Sequence, residues 1–463
     1  MTDPVVQSVR ERSLWLDGLE ESLTPRSQLP GDTDADVAII GGGFTGLWTA
    51  YYLAVHQPDL RVVVLERETV GFGASGRNGG WVSGFIAGNA SVYAERSGDD
   101  AVLRAEHASF EAISEIGRVA RDEGIECGFA HDGTTTVAYS APQRDRLLAG
   151  LAARRRRGIT DADIRELTPD ELAHHVRTPD PVAATFSPHC ARIDPARLVR
   201  GLAVACEQRG VTINEGTAAL VQPGKVRTLH GTVTAPMIVR ATESYSVQAD
   251  GWARRFLPLY SLMIATEPLA AHVWDELAWR EGLTIGDAHH LFFYAQRTPD
   301  GRIAIGGRGA PYRLGSPIDQ TQEHNESVRT RLIASISRHF PAAGNAEITH
   351  HWGGSLAVPR DWCMSVTYDP AAGVAFSGGY SGHGVVAANL GGRTLADLIL
   401  RRTSDLTTMP WVGHRPRNWE PEPLRYLASK AIVSVLGSAD RREDATGRPA
   451  RRTKLVAPFV MSR

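Results

Sequence analysis

The chain has 463 residues, 50 of them basic and 52 acidic, giving a formal net charge of −2. That length suits two domains or one large two-lobed unit, and the balanced charge gives no reason to expect nucleic acid or an anionic membrane as partner. Four scattered cysteines (Cys127, Cys190, Cys206, Cys363) without a C-x-x-C pair argue against a disulfide framework or a zinc site, and no apolar run suggests a secretory signal or a membrane span, so a reducing cytoplasmic setting is expected.

Residues 1–34 are a polar, proline-bearing lead-in whose Trp15 and Leu16 are available to pack on the surface of the body. Residues 36–46 read DVAIIGGGFTG. The apolar run 37–40 predicts a parallel strand buried on both faces. Gly41 permits the sharp turn off it, Gly43 lets the backbone approach a pyrophosphate, and Gly46 lets the next helix pack on the sheet. That helix is expected over 44–56. Its N-terminus, at Phe44 and Thr45, turns unpaired N–H groups and a partial positive charge toward the phosphates. Residues 61–65 form the second strand. Glu66 follows, 20 residues after Gly46, where a carboxylate accepts both hydroxyls of an adenosine ribose and repels a 2′-phosphate. Arg67 lies beside it. A second G-x-G-x-x-G at Gly71, Gly73 and Gly76 lacks the flanking strand and helix, so it is not read as a second dinucleotide fold.

Apolar spacing predicts a helix over 92–125, a strand over 134–139 and a basic helix over 143–157. The arginine run 154–157 reads most simply as a solvated face. Pro195 opens a helix over 195–209. Strands are expected over 211–214, 226–229, 237–241 and 257–266. A hairpin over 291–296 and 302–306 turns at Pro299-Asp300-Gly301. A helix over 323–339, strands over 346–352 and 373–377, a glycine cluster at 378–385, a helix to about Leu400 and a short helix near 423–436 complete the chain. The histidine pairs 174–175, 289–290 and 350–351 do not suggest a metal, because neighbours on a strand point to opposite faces. The fold class that follows is α/β, or α+β overall: a Rossmann-type nucleotide domain interrupted by a β-rich substrate domain.

The segments GGGFTGLWTAYYLA, GASGRNGG, RIDPARLVRGL, RATESYS, IGGRG and GGYSGHGVVAANLGGRTLADLIL occur in that order. In this the chain resembles the FAD-dependent D-amino acid oxidase superfamily of glycine and sarcosine oxidases, and within it the bacterial γ-glutamylputrescine oxidase-like branch. The likeness spans about residues 14 to 400. It implies FAD-binding parts at 1–125 (with the lead-in), 191–249 and 346–402. Substrate-domain parts fall at 126–190 and 250–345, and a tail at 403–463. It also implies an FAD-dependent oxidoreductase that oxidises the C–N bond of a small amine or amino acid. Hydride passes to flavin N5, the imine hydrolyses to a carbonyl compound, and O2 or another acceptor reoxidises the flavin.

The resemblance carries roles to particular residues. Ser75, Gly76, Arg77, Asn78, Gly79 and Gly80 would wrap pyrophosphate and isoalloxazine, with Ala219 and Thr242 near the ADP. Gly379, Tyr380, Ser381, Gly382, His383, Gly384 and Val385 would face the flavin, with backbone N–H groups stabilising charge on its reduced form. Arg308 is the candidate clamp for a substrate carboxylate, with Tyr294 on the facing hairpin strand. Tyr260 and Trp352 are aromatic candidates for the amine. Some relatives activate O2 with a lysine beside the flavin, and this chain has none between 226 and 429. His383 or an arginine takes that place, or the enzyme is a dehydrogenase. No histidine lies in 67–85, and Cys363 reads as a buried apolar residue, so non-covalent flavin is expected. Two other classes stay open: an FAD enzyme oxidising a C–O bond, such as a 2-hydroxy acid dehydrogenase, and an inert dinucleotide-binding protein.

Overall fold

The computed structural model describes residues 8–20, 23–307, 309 and 312–456. Two large sheets carry the architecture. The first has six strands in the order Ser365–Asp369, Val374–Gly378, Met237–Arg240, Val37–Ile40, Val62–Leu65 and Thr212–Asn214. All neighbours are parallel except the first pair. Val37–Ile40 and Val62–Leu65 are buried at every position because both faces are covered. Ile39 and Val64 join the core under the helices Phe44–His56 and Gly384–Ile399. Ala38, Ile40, Val63 and Leu65 pack instead against a small sheet of Thr33–Asp34, Thr232–Thr234, Lys225–Arg227 and Leu220–Gln222. The two helices touch closely: a Cβ on Gly392 would lie 2.6 Å from the Trp48 Cβ. Trp48 is fully buried.

The second sheet has eight strands in the order Ile348–Val358, Leu257–Thr266, Ile303–Gly307, Phe293–Arg297, Thr284–Asp287, Thr134–Ala138, Ala183–Ser187 and Arg165–Glu166. Its one parallel pair joins Thr284–Asp287 to Thr134–Ala138. Leu262, Ile264, Ile285, Ile303 and Ile305 bury one face beneath the helix Glu326–His339. Ile348–Val358 pairs with Leu257–Thr266 along this sheet, although it lies past the expected 345/346 boundary.

Three local expectations change. The helix expected over 92–125 is two, Ala90–Ser97 and Asp99–Asp122, separated by Gly98 at φ +84°. The C-terminal helix runs from Leu424 to Thr446, well past 436. Its last turns carry polar residues, so apolar spacing did not reveal them; they are held by ion pairs to His289 and His290, in a turn of the eight-stranded sheet. Trp15 packs on the body, as the lead-in was expected to do. It is buried against the flank of Trp352 and donates from Nε1 to the Asn78 carbonyl at 2.8 Å. The arginine run is not uniformly solvated. Arg155 and Arg156 are exposed, but Arg154 lies over the Phe85 ring at 4.3 Å and Arg157 meets Glu106 at 3.6 Å.

Candidate active site

A cavity of about 1000 Å³ runs between the two sheets. At one end it is walled by the strand-turn-helix of Ile40, Gly41, Gly43, Phe44 and Thr45, with Glu66, Arg67, Ala219 and Thr242 around it. Only glycine fits this cradle. A Cβ on Gly41 would lie 2.6 Å from the Ala241 carbonyl, and one on Gly43 would lie 2.9 Å from Ser75 Oγ. Ser75 Oγ accepts from the Phe44 N–H at 2.9 Å, tying the glycine-rich loop to the helix start. Gly46 does not line the cavity. Its Cβ would sit 2.0 Å from the Gly41 carbonyl, so it sets how closely the helix meets the strand. The Glu66 carboxylate accepts the N–H groups of Gly42 and Glu68 at 2.7 and 2.9 Å, while burial raises its pKa. An extended dinucleotide fits this end: a backbone cradle at a helix N-terminus for the diphosphate, then a buried carboxylate for the ribose.

The middle of the cavity is walled by Ser75, Arg77, Asn78 and Gly79 on one side and by Tyr380, Gly382, His383, Gly384 and Val385 on the other. Gly76, Gly80, Gly379 and Ser381 stand behind these walls. Gly76 packs on the Gly71 carbonyl, Gly80 and Gly379 take φ of +68° and +80°, and the Ser381 hydroxyl donates to the Trp362 carbonyl at 3.1 Å. Arg77 pairs with Glu323 at 2.6 Å and bonds the Tyr245 hydroxyl at 3.1 Å. Tyr380 shares hydrogen bonds with Thr45 and Ser377 at 2.8 and 2.9 Å, joining the helix Phe44–His56 to the strand Val374–Gly378. Sequence reasoning missed Glu243, though it stands in the quoted RATESYS segment. It is a cavity residue whose carboxylate accepts the N–H groups of Gly379 and Tyr380 at 2.9 and 3.3 Å, and burial pushes its pKa to about 7.

The far end holds Tyr294, which bonds Ser261 Oγ at 2.7 Å and meets Trp81 edge-on at 5.9 Å. Glycines make room for its ring: a Cβ on Gly79 or Gly306 would approach it to 2.4 Å. Arg308 lies outside the described residues. Tyr260 and Trp352 are not in the cavity wall. Tyr260 belongs to the core of the eight-stranded sheet, and its hydroxyl bonds the Asp319 carbonyl at 3.3 Å. Trp352 is buried and bonds the Arg77 carbonyl at 3.0 Å, so it supports the loop from behind. Sequence gave no signal for Phe85, which meets His383 edge-on at 6.3 Å, or for Asp287, both cavity residues. Cys363 is buried beside Tyr93 and Asn89, away from the cavity wall.

The histidine pairs need one correction. Only His350 and His351 lie on a strand; His174 and His175 end a helix, and His289 and His290 sit in the turn between two strands. In that turn both rings meet the C-terminal helix. His289 joins Asp287 on one side and Asp444 at 2.9 Å on the other, and His290 meets Glu443 at 3.4 Å. Asp287 and Asp444 raise the His289 pKa to about 10 against the effect of burial. Among the described residues, His290–Asp440–Glu443 and Asp361–Cys363–His414 bring three ligand-type atoms together. His290 and His414 already have carboxylate partners there.

The model of the FAD dependent oxidoreductase family, DAO, matches residues 36–398. A probable oxidoreductase OrdL of Rhizobium meliloti is 33% identical, over 82% of this chain and 86% of that protein. The gamma-glutamylputrescine oxidoreductase of Escherichia coli is 27% identical, over 83% of this chain and 85% of that protein. The crystal structure of glycine oxidase from Geobacillus kaustophilus superposes with a TM-score of 0.69 at 19% identity, over 83% of this chain and all of that one, a likeness of fold. No helix among the described residues is long and apolar enough to cross a membrane.

Proposed function

The chain belongs to the DAO family of FAD-dependent oxidoreductases, and from that premise we propose that it oxidises the C–N bond of an amine or amino acid to an imine, which hydrolyses to a carbonyl compound. The observation that carries this reading is the single cavity. It begins at a glycine cradle and a ribose-binding carboxylate and leads to an aromatic chamber around Tyr294 and Trp81.

When bound, FAD would supply, at flavin N5, the two-electron acceptor for a hydride from the substrate's α carbon. The chain's own residues do the rest. Gly41, Gly43 and the N-terminus of Phe44–His56 hold the diphosphate, and Glu66 accepts the ribose hydroxyls on the lone pairs its two backbone donors leave free. Gly382, His383 and Gly384 present the N-terminus of Gly384–Ile399 to the region where negative charge develops. Tyr294 and Trp81 orient the substrate, and their apolar surroundings favour the neutral amine whose lone pair assists the transfer. Arg308, next after the strand Ile303–Gly307, holds a substrate carboxylate. The buried position of Cys363 and the lack of histidine in 67–85 support non-covalent flavin. O2 is the proposed acceptor, with His383 or an arginine serving in place of the lysine that some relatives use.

Anaerobic mixing of the flavin-loaded protein with amines, amino acids and 2-hydroxy acids tests the reading. Loss of the flavin's visible absorbance with amines or amino acids is expected. Bleaching by hydroxy acids alone would replace C–N with C–O chemistry.

A further inference from the structure

One carboxylate in the cavity wall has backbone donors but no counter-charge. Glu243 follows Thr242 just past the strand Met237–Arg240 and lines the cavity. Its backbone takes φ +41°, a left-handed conformation that is costly for a residue with a Cβ. The side chain reaches across to the flavin-facing loop, where it accepts the Gly379 and Tyr380 N–H groups at 2.9 and 3.3 Å. The fit is close: a Cβ on Gly378 would lie 2.7 Å from Glu243 Oε2. The charged and titratable groups on the elements around it are engaged elsewhere. On its own side Arg240 lies over the Trp252 ring at 5.6 Å, and Tyr245 bonds Arg77, whose guanidinium pairs with Glu323. On the loop, Tyr380 shares its hydroxyl with Thr45 and Ser377, and His383 meets Phe85. From the strand Ile348–Val358 the Ala357 backbone is what acts on the carboxylate. Only neutral dipoles therefore oppose the cost of burial, and the pKa rises to about 7. A further negative charge in the same cavity raises it again, because like charges disfavour ionisation.

We propose that Glu243 is a positioning residue that takes up a proton when the bound flavin is reduced and returns it on reoxidation. A hydride brings an electron pair and adds one negative charge to the flavin. A proton from solvent adds to the Glu243 carboxylate, so the net charge of the cavity is unchanged. When the acceptor withdraws the electrons, that proton goes back to solvent. The protonated carboxyl keeps a carbonyl oxygen for the loop N–H groups, so the loop stays anchored in both states. Proton and electron occupancy then favour each other by the same amount, as linkage requires. The inference rests on flavin occupying the cavity and not on which bond the enzyme oxidises.

The test reduces the flavin-loaded protein electrochemically, with dye mediators, so no substrate enters it and the fate of the C–N reading is separate. The midpoint potential is followed against pH. Above pH 7 the wild type is expected to take up about one proton more per two electrons than Glu243→Gln. At pH 5, where the carboxyl is already neutral, the two should agree. The reduced-minus-oxidised infrared spectrum should gain a protonated-carboxyl C=O band above pH 7 that Glu243→Gln lacks. Glu243→Asp, which keeps the acid, should keep the extra proton with a shifted onset. A residue that merely braced the loop would move the potential and leave the proton count alone. Equal proton counts in wild type and Glu243→Gln overturn the proposal, as does a carboxyl band that survives the substitution. Should Glu243→Gln fail to hold flavin, a wild type that shows neither the band nor a change in proton count between pH 5 and pH 9 overturns it unaided.

Discussion

The two ends of the cavity are made of different material. The dinucleotide end is mostly backbone: a glycine turn, a helix N-terminus and a second loop pressed against it, contributed by neighbouring stretches of sequence. The far end is mostly side chain. Arg154, Glu106, Asp287 and Tyr294 come from separate helices and strands and meet only after the eight-stranded sheet has formed. Backbone sites need particular conformations, which glycine spacing writes locally. Side-chain sites need partners, which only tertiary packing supplies.

The largest expected effect attacks the backbone end. Gly46→Val places atoms where a single Cβ would already lie 2.0 Å from the Gly41 carbonyl. Overpacking there should cost about 3 kcal/mol or more, read as loss of flavin on purification, while the fold of the eight-stranded sheet persists. Flavin retained at wild-type levels would show that the cradle is not set by backbone packing. Glu243 blurs the comparison, because here a side chain holds the backbone. Burial raises its pKa from 4.5 to about 7, so its contribution to stability is complete below pH 4.5 and is lost as pH rises through 7. Glu243→Gln should flatten the pH dependence of melting in that window, a difference of roughly 3 kcal/mol between its ends. An unchanged profile would mean that Glu243 is more hydrated than its burial implies.

Arg308→Ala, at the proposed carboxylate clamp, should lower kcat/KM for carboxylated substrates by roughly 10²-fold, as expected for the loss of a charged hydrogen bond, with little change for amines lacking the carboxylate. Equal values for both proteins would move the clamp elsewhere. The smallest effect concerns the C-terminal helix. The His289 pKa is raised from 6.5 to about 10, so its charge secures the helix below pH 6.5 and releases it as pH climbs through 10. Hydrogen exchange over 424–446 should quicken across that range. Asp444→Asn should weaken protection by about 1 kcal/mol at neutral pH and shrink the pH effect.

What was legible followed the same division. The helix Phe44–His56 matches its expected bounds, and so does the strand Leu257–Thr266, because each announces itself by local spacing. The arginine run misled because charge on a helix reads as solvated until Phe85 and Glu106, far away in sequence, turn two of its members inward. The C-terminal helix was read short because Asp440, Glu443 and Asp444 look like a solvated ending. Their partners, at His289, His290 and the neighbouring backbone, are visible only in the fold. Trp352 and Tyr260 illustrate the converse: an aromatic in the right segment can serve as a buttress rather than a wall.

The interleaving of the six-stranded sheet also governs how the molecule is born. Met237–Arg240 lies between Val37–Ile40 and Val374–Gly378, and Phe44–His56 is covered by Gly384–Ile399. A nascent polypeptide therefore leaves the face of Phe44–His56 uncovered until Gly384–Ile399, more than 300 residues later, has been made. An apolar face that waits so long for its cover is a surface that favours aggregation.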